Sequence, residues 1–305
     1  MMRATLLIIT NFSVMILIGF LLMFTGIYPH NVIKMMVTAC VVGFGGAFTS
    51  LFLSKWIAIR SIHAKVIERP SNEMEYWLIN VVKYQSYKVG IEMPTVAIYP
   101  AYDINAFATG AKRNESLVAI SSGLLHNMNR NEVEAVLAHE ISHIDNGDMV
   151  TMTLIQGVLN TFVIFISSAV SLVLSKVISN MLMPNMENHR YNNYRYNQIN
   201  AKLYSSISAA LGTLFGTFAS LVTMWFSRRR EFYADIGAAK IVGADKMISA
   251  LERLKSSYEP QEPNNLITLC IHGKKDFFVE LFASHPPLEQ RINALRRYHN
   301  SIKKF

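Results

Sequence analysis

Four stretches of the chain, residues 4–33, 35–54, 149–175 and 203–227, contain no Asp, Glu, Lys or Arg. At about 1.5 Å of rise per helical residue, each can cross a hydrocarbon layer about 30 Å thick. Two blander readings compete with a membrane span. A cleaved signal peptide does not suit the first stretch, because Thr25 to Pro29 is not a small-residue cleavage site and a second apolar run follows almost at once. Buried core helices remain open for the later pair, whose Gln156, Asn160 and many Ser, Thr and Gly suit either helix packing in lipid or a soluble core. Charge tips the balance: 16% of residues are charged, against about 25% in an average soluble domain. The chain reads as an integral membrane protein with four transmembrane helices in two hairpins.

Basic residues near the span ends set the orientation. Arg3, Lys55, Arg60, Lys65, Arg69 and Arg228 to Arg230 lie on one side, and Lys34, Lys176, Arg190, Arg195 and Lys202 on the other. Eight against five places the bulk of the chain in the cytoplasm. The net charge of +8 then calls for no nucleic acid, since a basic surface beside a bilayer is drawn to anionic lipid. Cys40 lies inside a span and Cys270 far from it, so no disulfide framework is indicated, in keeping with a reducing compartment.

The organisation expected is a helix hairpin over 1–54, a cytoplasmic block over 55–148, a second hairpin over 149–227 and a closing block over 228–305. Within the first block Asn72 to Val89 has helical spacing, and Thr95–Tyr99, Ala106–Thr109 and Ser116–Ser121 read as strands of a small sheet. Asn131 to His143 reads as a helix with Asn131 as N-cap and Glu134 completing a capping box, ending at Gly147. Helices are expected again over Asp245–Leu254 and Leu288–Tyr298, and the polar stretch Asn185–Asn200 reads as a loop. The fold class is mainly α with a small β-sheet.

Chemistry concentrates in His139-Glu140-Ile141-Ser142-His143. On a helix the i, i+4 spacing puts both imidazoles on one face, where they can share a zinc ion, while Glu140 projects beside them toward a water molecule. A pair of surface histidines is the alternative, which the apolar lead-in Val133 to Ala138 disfavours. A catalytic zinc wants a third protein ligand. Glu231 and Asp235, four apart, offer one ligand and one carboxylate able to accept the far ring N–H of a ligand histidine. Equally, both could pair with Arg228, Arg229 and Arg230.

Here the sequence resembles a known family. His139 to Met149, Ser227 to Asp235, Ile104 to Gly110 and Ser284-His285-Pro286-Pro287 occur in the order and with the helix-pair layout of the HtpX membrane metalloproteases, which sit with the CAAX prenyl proteases in the gluzincin clan. The resemblance implies a gluzincin-type metalloprotease domain: a zinc-dependent endopeptidase of the bacterial inner membrane, multi-pass, its active site facing the cytoplasm, acting on misfolded or damaged membrane proteins. It implies one Zn²⁺ per chain held by His139, His143 and Glu231, with Glu140 as general base and Asp235 as support. It further implies that His285 stabilises the oxyanion, although a His before two prolines can also be a structural cap. Asn105 and Ala106 would contact an extended peptide substrate by strand addition. Two alternatives stand beside this reading: a CAAX-type prenyl peptidase, whose relatives have more spans than the four expected here, and a non-catalytic membrane adaptor holding structural zinc.

Overall fold

The computed structural model describes residues 2–23, 29–182, 190–258 and 285–302. Helices α1 (Met2–Met23) and α2 (Pro29–Ser61) come first, followed by strand β1 (Lys65–Val66) and helix α3 (Glu73–Val89). Strands β2 (Thr95–Tyr99), β3 (Ala106–Thr109) and β4 (Leu117–Ser121) lead into a short α4 (Ser122–Asn127) and then α5 (Arg130–Asn146). Two long helices follow, α6 (Asp148–Leu182) and α7 (Arg190–Val242), then α8 (Ala244–Tyr258) and α9 (Leu288–Ile302).

The chain divides into two compact units, one drawn from Met1–Thr49 and Thr153–Thr223, the other from Ser50–Met152 and Met224–Phe305. The first is helical and turned inside out by the standards of a soluble domain. Its interior is a small cluster around Met15, Val32, Ala39, Phe165 and Ala169, whereas Leu17, Phe20, Val37, Val41, Leu214 and Phe218 face outward. Such a surface is stable only against lipid, and a helix satisfies all its own backbone polar groups there. Among the described residues, three helical stretches are long and apolar enough to span: His30–Ser61, Asp148–Leu182 and Tyr196–Val242. Four were expected. The first run forms the 22-residue helix α1, whose described apolar portion is Phe12–Leu22.

The second unit has a soluble core. A four-stranded sheet in the order β1-β2-β4-β3 has one parallel pair, β2 with β4, and two antiparallel ones. β1 was not anticipated; two residues give no period to read. Leu78 and Val82 of α3, Val118 and Ile120 of β4, Leu137 and Ile141 of α5, Met247 and Leu251 of α8 and Ile292 and Leu295 of α9 close one apolar core. β3 lies at the sheet's edge, so among the described residues one side of its backbone is unpaired by other strands.

Two expectations need correcting. α5 starts two residues early: Asn129 is the N-cap, its side chain accepting from Glu132 N at 3.0 Å while Glu132 caps Asn129 N in return at 2.9 Å. Asn131 carries the same signal, but Glu134, its would-be partner, is taken by Lys246 of α8 at 2.5 Å. The helix does end at Gly147, which closes it with φ of 67°. In the stretch expected as a loop, residues 190–200 are the first turns of α7, where Tyr196 donates to Asn180 Oδ1 at 2.6 Å. Asn and Tyr discourage helix only weakly, and an α6 side chain gives this turn a partner. Residues 185–189 of that stretch, and Cys270, lie outside the described residues.

Candidate metal centre

Apart from Glu134, helix α5 is buried from Glu132 to Ile144, which brings His139, Glu140 and His143 inside the second unit. The two imidazoles stand edge to face, with centroids 4.7 Å apart and Nε2 atoms 3.1 Å apart. The last part of α7 passes this face at close range. A Cβ at Gly237 would lie 2.8 Å from Ser142 Cβ, so glycine is what lets the two helices approach. Two turns earlier on α7, Glu231 sets Oε2 3.6 Å from His139 Nε2 and Oε1 3.4 Å from His143 Nε2. Ligand atoms of His139, His143 and Glu231 lie within 4.8 Å of one another, all buried.

A shell of carboxylates and arginines holds these groups. His139 Nδ1 lies 3.0 Å from Asp235 Oδ1, and His143 Nδ1 lies 2.6 Å from Asp148 Oδ2. Arg291 of α9 grips Asp235 with two hydrogen bonds, at 2.8 and 2.6 Å, and reaches Glu231 Oε2 at 3.1 Å. Arg230 donates to the Asp148 backbone carbonyl at 2.9 Å. Asp235 thus lies between His139 and Arg291, and Glu231 between the two histidines and Arg291. Asp148 and Arg291 were not singled out. The His143-to-Asp148 spacing is a weak signal because a helix break lies between them, and Arg291 gives no local signal at all.

Glu140 is 8% exposed. Burial pushes its carboxyl above the usual carboxylate range, against the pull of His139 and His143. His143 is raised to about 10, because the Asp148 and Glu231 carboxylates outweigh the opposing effect of burial. His285 is mostly exposed and sits with Nδ1 2.8 Å from Glu231 Oε2. At the start of α9 the Pro287 carbonyl accepts from Gln290 N at 2.9 Å and from Arg291 N at 3.3 Å, the first hydrogen bonds of the helix. A cavity of about 420 Å³ opens in front of these residues. Its polar floor is His139, Glu140 and Glu231, its rim Asn105, Ala106 and His285, and its other wall Leu124, Val136, Met247, Leu251, Leu254 and Leu288.

Strand β3 meets this cavity edge-on. Asn105 spends both backbone groups on Ser121: its N–H reaches Ser121 Oγ at 3.1 Å and its carbonyl accepts from Ser121 N at 2.9 Å. Antiparallel residues alternate in the side to which their backbone groups point, so those of Ala106 and Ala108 face the free edge.

The donor set fits a divalent transition metal. With each Nδ1 beside an aspartate, both Nε2 atoms aim at the Glu231 carboxylate, which makes two imidazoles and one carboxylate with room for a fourth ligand.

The pattern of peptidase family M48 matches residues 72–299. The chain belongs to peptidase family M48. This M48 peptidase is 55% identical over 296 residues to the proteins named Protease HtpX of Yersinia pestis (strain Pestoides F) and of Yersinia pseudotuberculosis (serotype O:1b, strain IP 31758), covering 97% of this chain and 98% of each relative. Among solved structures it is similar to Ste24p of S. mikatae, with a TM-score of 0.58 and 18% identity over 85% of this chain. It spans 58% of that protein's length, and the likeness is one of fold. The M48 peptidase is thus a membrane metalloprotease acting on polypeptides. The prenyl-peptidase and adaptor readings are not favoured beside relatives named as HtpX proteases over nearly their full length.

Proposed function

We propose that this M48 peptidase is a zinc-dependent endopeptidase that binds one Zn²⁺ per chain through His139, His143 and Glu231 and hydrolyses misfolded or damaged membrane proteins at the cytoplasmic face of a bacterial inner membrane. The observation that carries the zinc assignment is the convergence of two Nε2 atoms and one carboxylate, with each opposite ring nitrogen beside an aspartate. Neutral imidazole is the metal-binding form, and a carboxylate at Nδ1 selects the tautomer that leaves Nε2 free to bind. When bound, zinc supplies Lewis acidity to the scissile carbonyl and to a water molecule.

The chain's own residues do the rest. Glu140 takes a proton from the attacking water at its carboxylate and returns it to the leaving amine. Its upward shift brings it closer to neutral pH, where proton transfer in both directions is efficient. His285, on the cavity rim, shares the negative charge on the carbonyl oxygen, a role whose loss costs about 10²–10³ in rate. Ala106 pairs its outward-facing backbone groups with the substrate strand, and the Asn105 side chain contacts the same strand from the rim.

Strand addition needs an extended backbone with free hydrogen-bonding groups. A folded protein does not offer one, whereas a damaged or unfolded segment does, which supports a quality-control role. The apolar wall of Leu124, Val136, Met247, Leu251, Leu254 and Leu288 suits a large hydrophobic side chain next to the scissile bond. Facing of the site toward the cytoplasm rests on the eight-to-five bias of basic residues.

The deciding experiment compares wild type and Glu140→Gln in detergent for casein cleavage and zinc content. Full zinc occupancy with cleavage abolished is expected. Cleavage retained by the variant, or insensitive to a chelator in the wild type, would falsify the assignment.

A further inference from the structure

The chain has three tryptophans, and each carries an arginine on its ring face. Arg130 lies over Trp77 at 5.5 Å, Arg60 over Trp56 at 4.9 Å and Arg229 over Trp225 at 4.6 Å. The first pair is internally neutralised, because Arg130 also meets Glu73 at 2.6 Å. Among the described residues neither Arg60 nor Arg229 has a carboxylate within ion-pair distance. Both of these arginines and both of their tryptophans are exposed.

The two unneutralised pairs share a second property. Each ends an outward-facing apolar stripe on a helix long enough to span a membrane: Phe52, Trp56, Arg60 on α2, and Phe218, Val222, Trp225, Arg229 on α7. The order along each stripe is hydrocarbon side chain, indole, guanidinium. In both cases the step from Trp to Arg is four residues, about 6 Å of helix. The polar layer of a bilayer leaflet is about 5–8 Å deep. A tryptophan at the edge of the hydrocarbon, its preferred depth, therefore sets its arginine at the level of the lipid phosphates.

We propose that Trp56–Arg60 and Trp225–Arg229 are two headgroup sites for an anionic glycerophospholipid. The indole fixes the guanidinium plane by cation–π stacking, so less freedom is lost when the outward edge takes the phosphate. A zwitterionic headgroup brings its own ammonium to compete for that phosphate, whereas an anionic headgroup leaves the arginine as its counterion. An interfacial arginine favours an anionic surface by about fivefold in binding. Both pairs belong to the compact unit that carries the metal-site residues, so lipid charge acts on the unit that does the chemistry. The proposal depends on the membrane reading alone and not on zinc.

The test uses the full chain with Trp77→Phe, so that only Trp56 and Trp225 emit. It is reconstituted in phosphatidylcholine vesicles holding a fixed fraction of phosphatidylglycerol or phosphatidylcholine brominated near the carbonyl end of the acyl chains. Phosphatidylglycerol should quench as if enriched about fivefold around each indole. Arg60→Gln with Arg229→Gln should make the two lipids quench equally, and Arg130→Gln should change nothing. Equal quenching by the two lipids in the Trp77→Phe parent, or a preference that survives loss of both arginines, overturns the proposal. The parent measurement stands even if the double variant fails to fold.

Discussion

Gly237 of α7 and Ser142 of α5 meet with no room between them for a side chain, since a Cβ on Gly237 would lie 2.8 Å from the Ser142 Cβ and closer still to its hydroxyl. That contact sets how near α7 runs to α5, and so whether Glu231 and Asp235 reach the two histidines. Replacing Gly237 with Val should push the helices apart. A loss of about 1–3 kcal/mol is expected from overpacking, seen as a lower Tm, together with less than one equivalent of metal after dialysis. Adding Ser142→Gly should restore part of both. Full metal content in Gly237→Val alone would show that the helix spacing does not control the site.

Asp148 lies 2.6 Å from His143 Nδ1, a contact that orients the ring and sets its tautomer. For Asp148→Asn, metal affinity measured by competition with a chelator should fall about 10–100-fold, while the far-ultraviolet circular dichroism stays that of a folded helical protein. Unchanged affinity would assign the contact to folding only.

Metal uptake should release protons. Without metal, burial disfavours the His143 imidazolium, yet the carboxylates of Asp148 and Glu231 hold it up to about 10, above the ordinary value of about 6.5. Because the folded value is the higher one, this charge stabilises the metal-free protein fully below pH about 6.5, and that stability fades as pH rises toward 10. Binding requires the neutral ring, so metal affinity should climb with pH by about tenfold per unit for each proton released. Calorimetric titration of the metal-free protein at pH 7.5, in two buffers of different ionisation heat, checks this: equal apparent enthalpies would mean that no proton leaves.

Leu254 lines the apolar wall of the cavity and is only partly buried. Leu254→Trp should fill that wall. With peptides that vary at one position beside the scissile bond, kcat/KM for a Phe or Leu peptide should drop at least tenfold, the value of one or two lost methylene-sized contacts, while an Ala peptide is spared. A uniform drop for all peptides would place the selecting pocket elsewhere.

The second capping box and the first turns of α7 show where reading residues in order falls short. Asn129 and Asn131 each have a glutamate three positions on, and local chemistry cannot rank them. Lys246, more than a hundred residues later, decides by occupying Glu134. Residues 190–200 look like a loop by composition, yet an asparagine on α6 supplies a partner for Tyr196.

What the sequence determined by itself is what depends on short periods: apolar runs long enough to span, a histidine pair one turn apart with a glutamate between, and a second pair of carboxylates one turn apart. These follow from helix geometry, which holds wherever the helix ends up. Which atoms face one another across helices was decided only in the folded chain. Asp148 turns back to His143 past a helix break, Arg291 arrives from α9 to hold Asp235, and a bare glycine lets α7 close on α5. Those relations depend on packing between segments up to about 95 residues apart, where buried charges must find partners, and no local pattern encodes which partner that is.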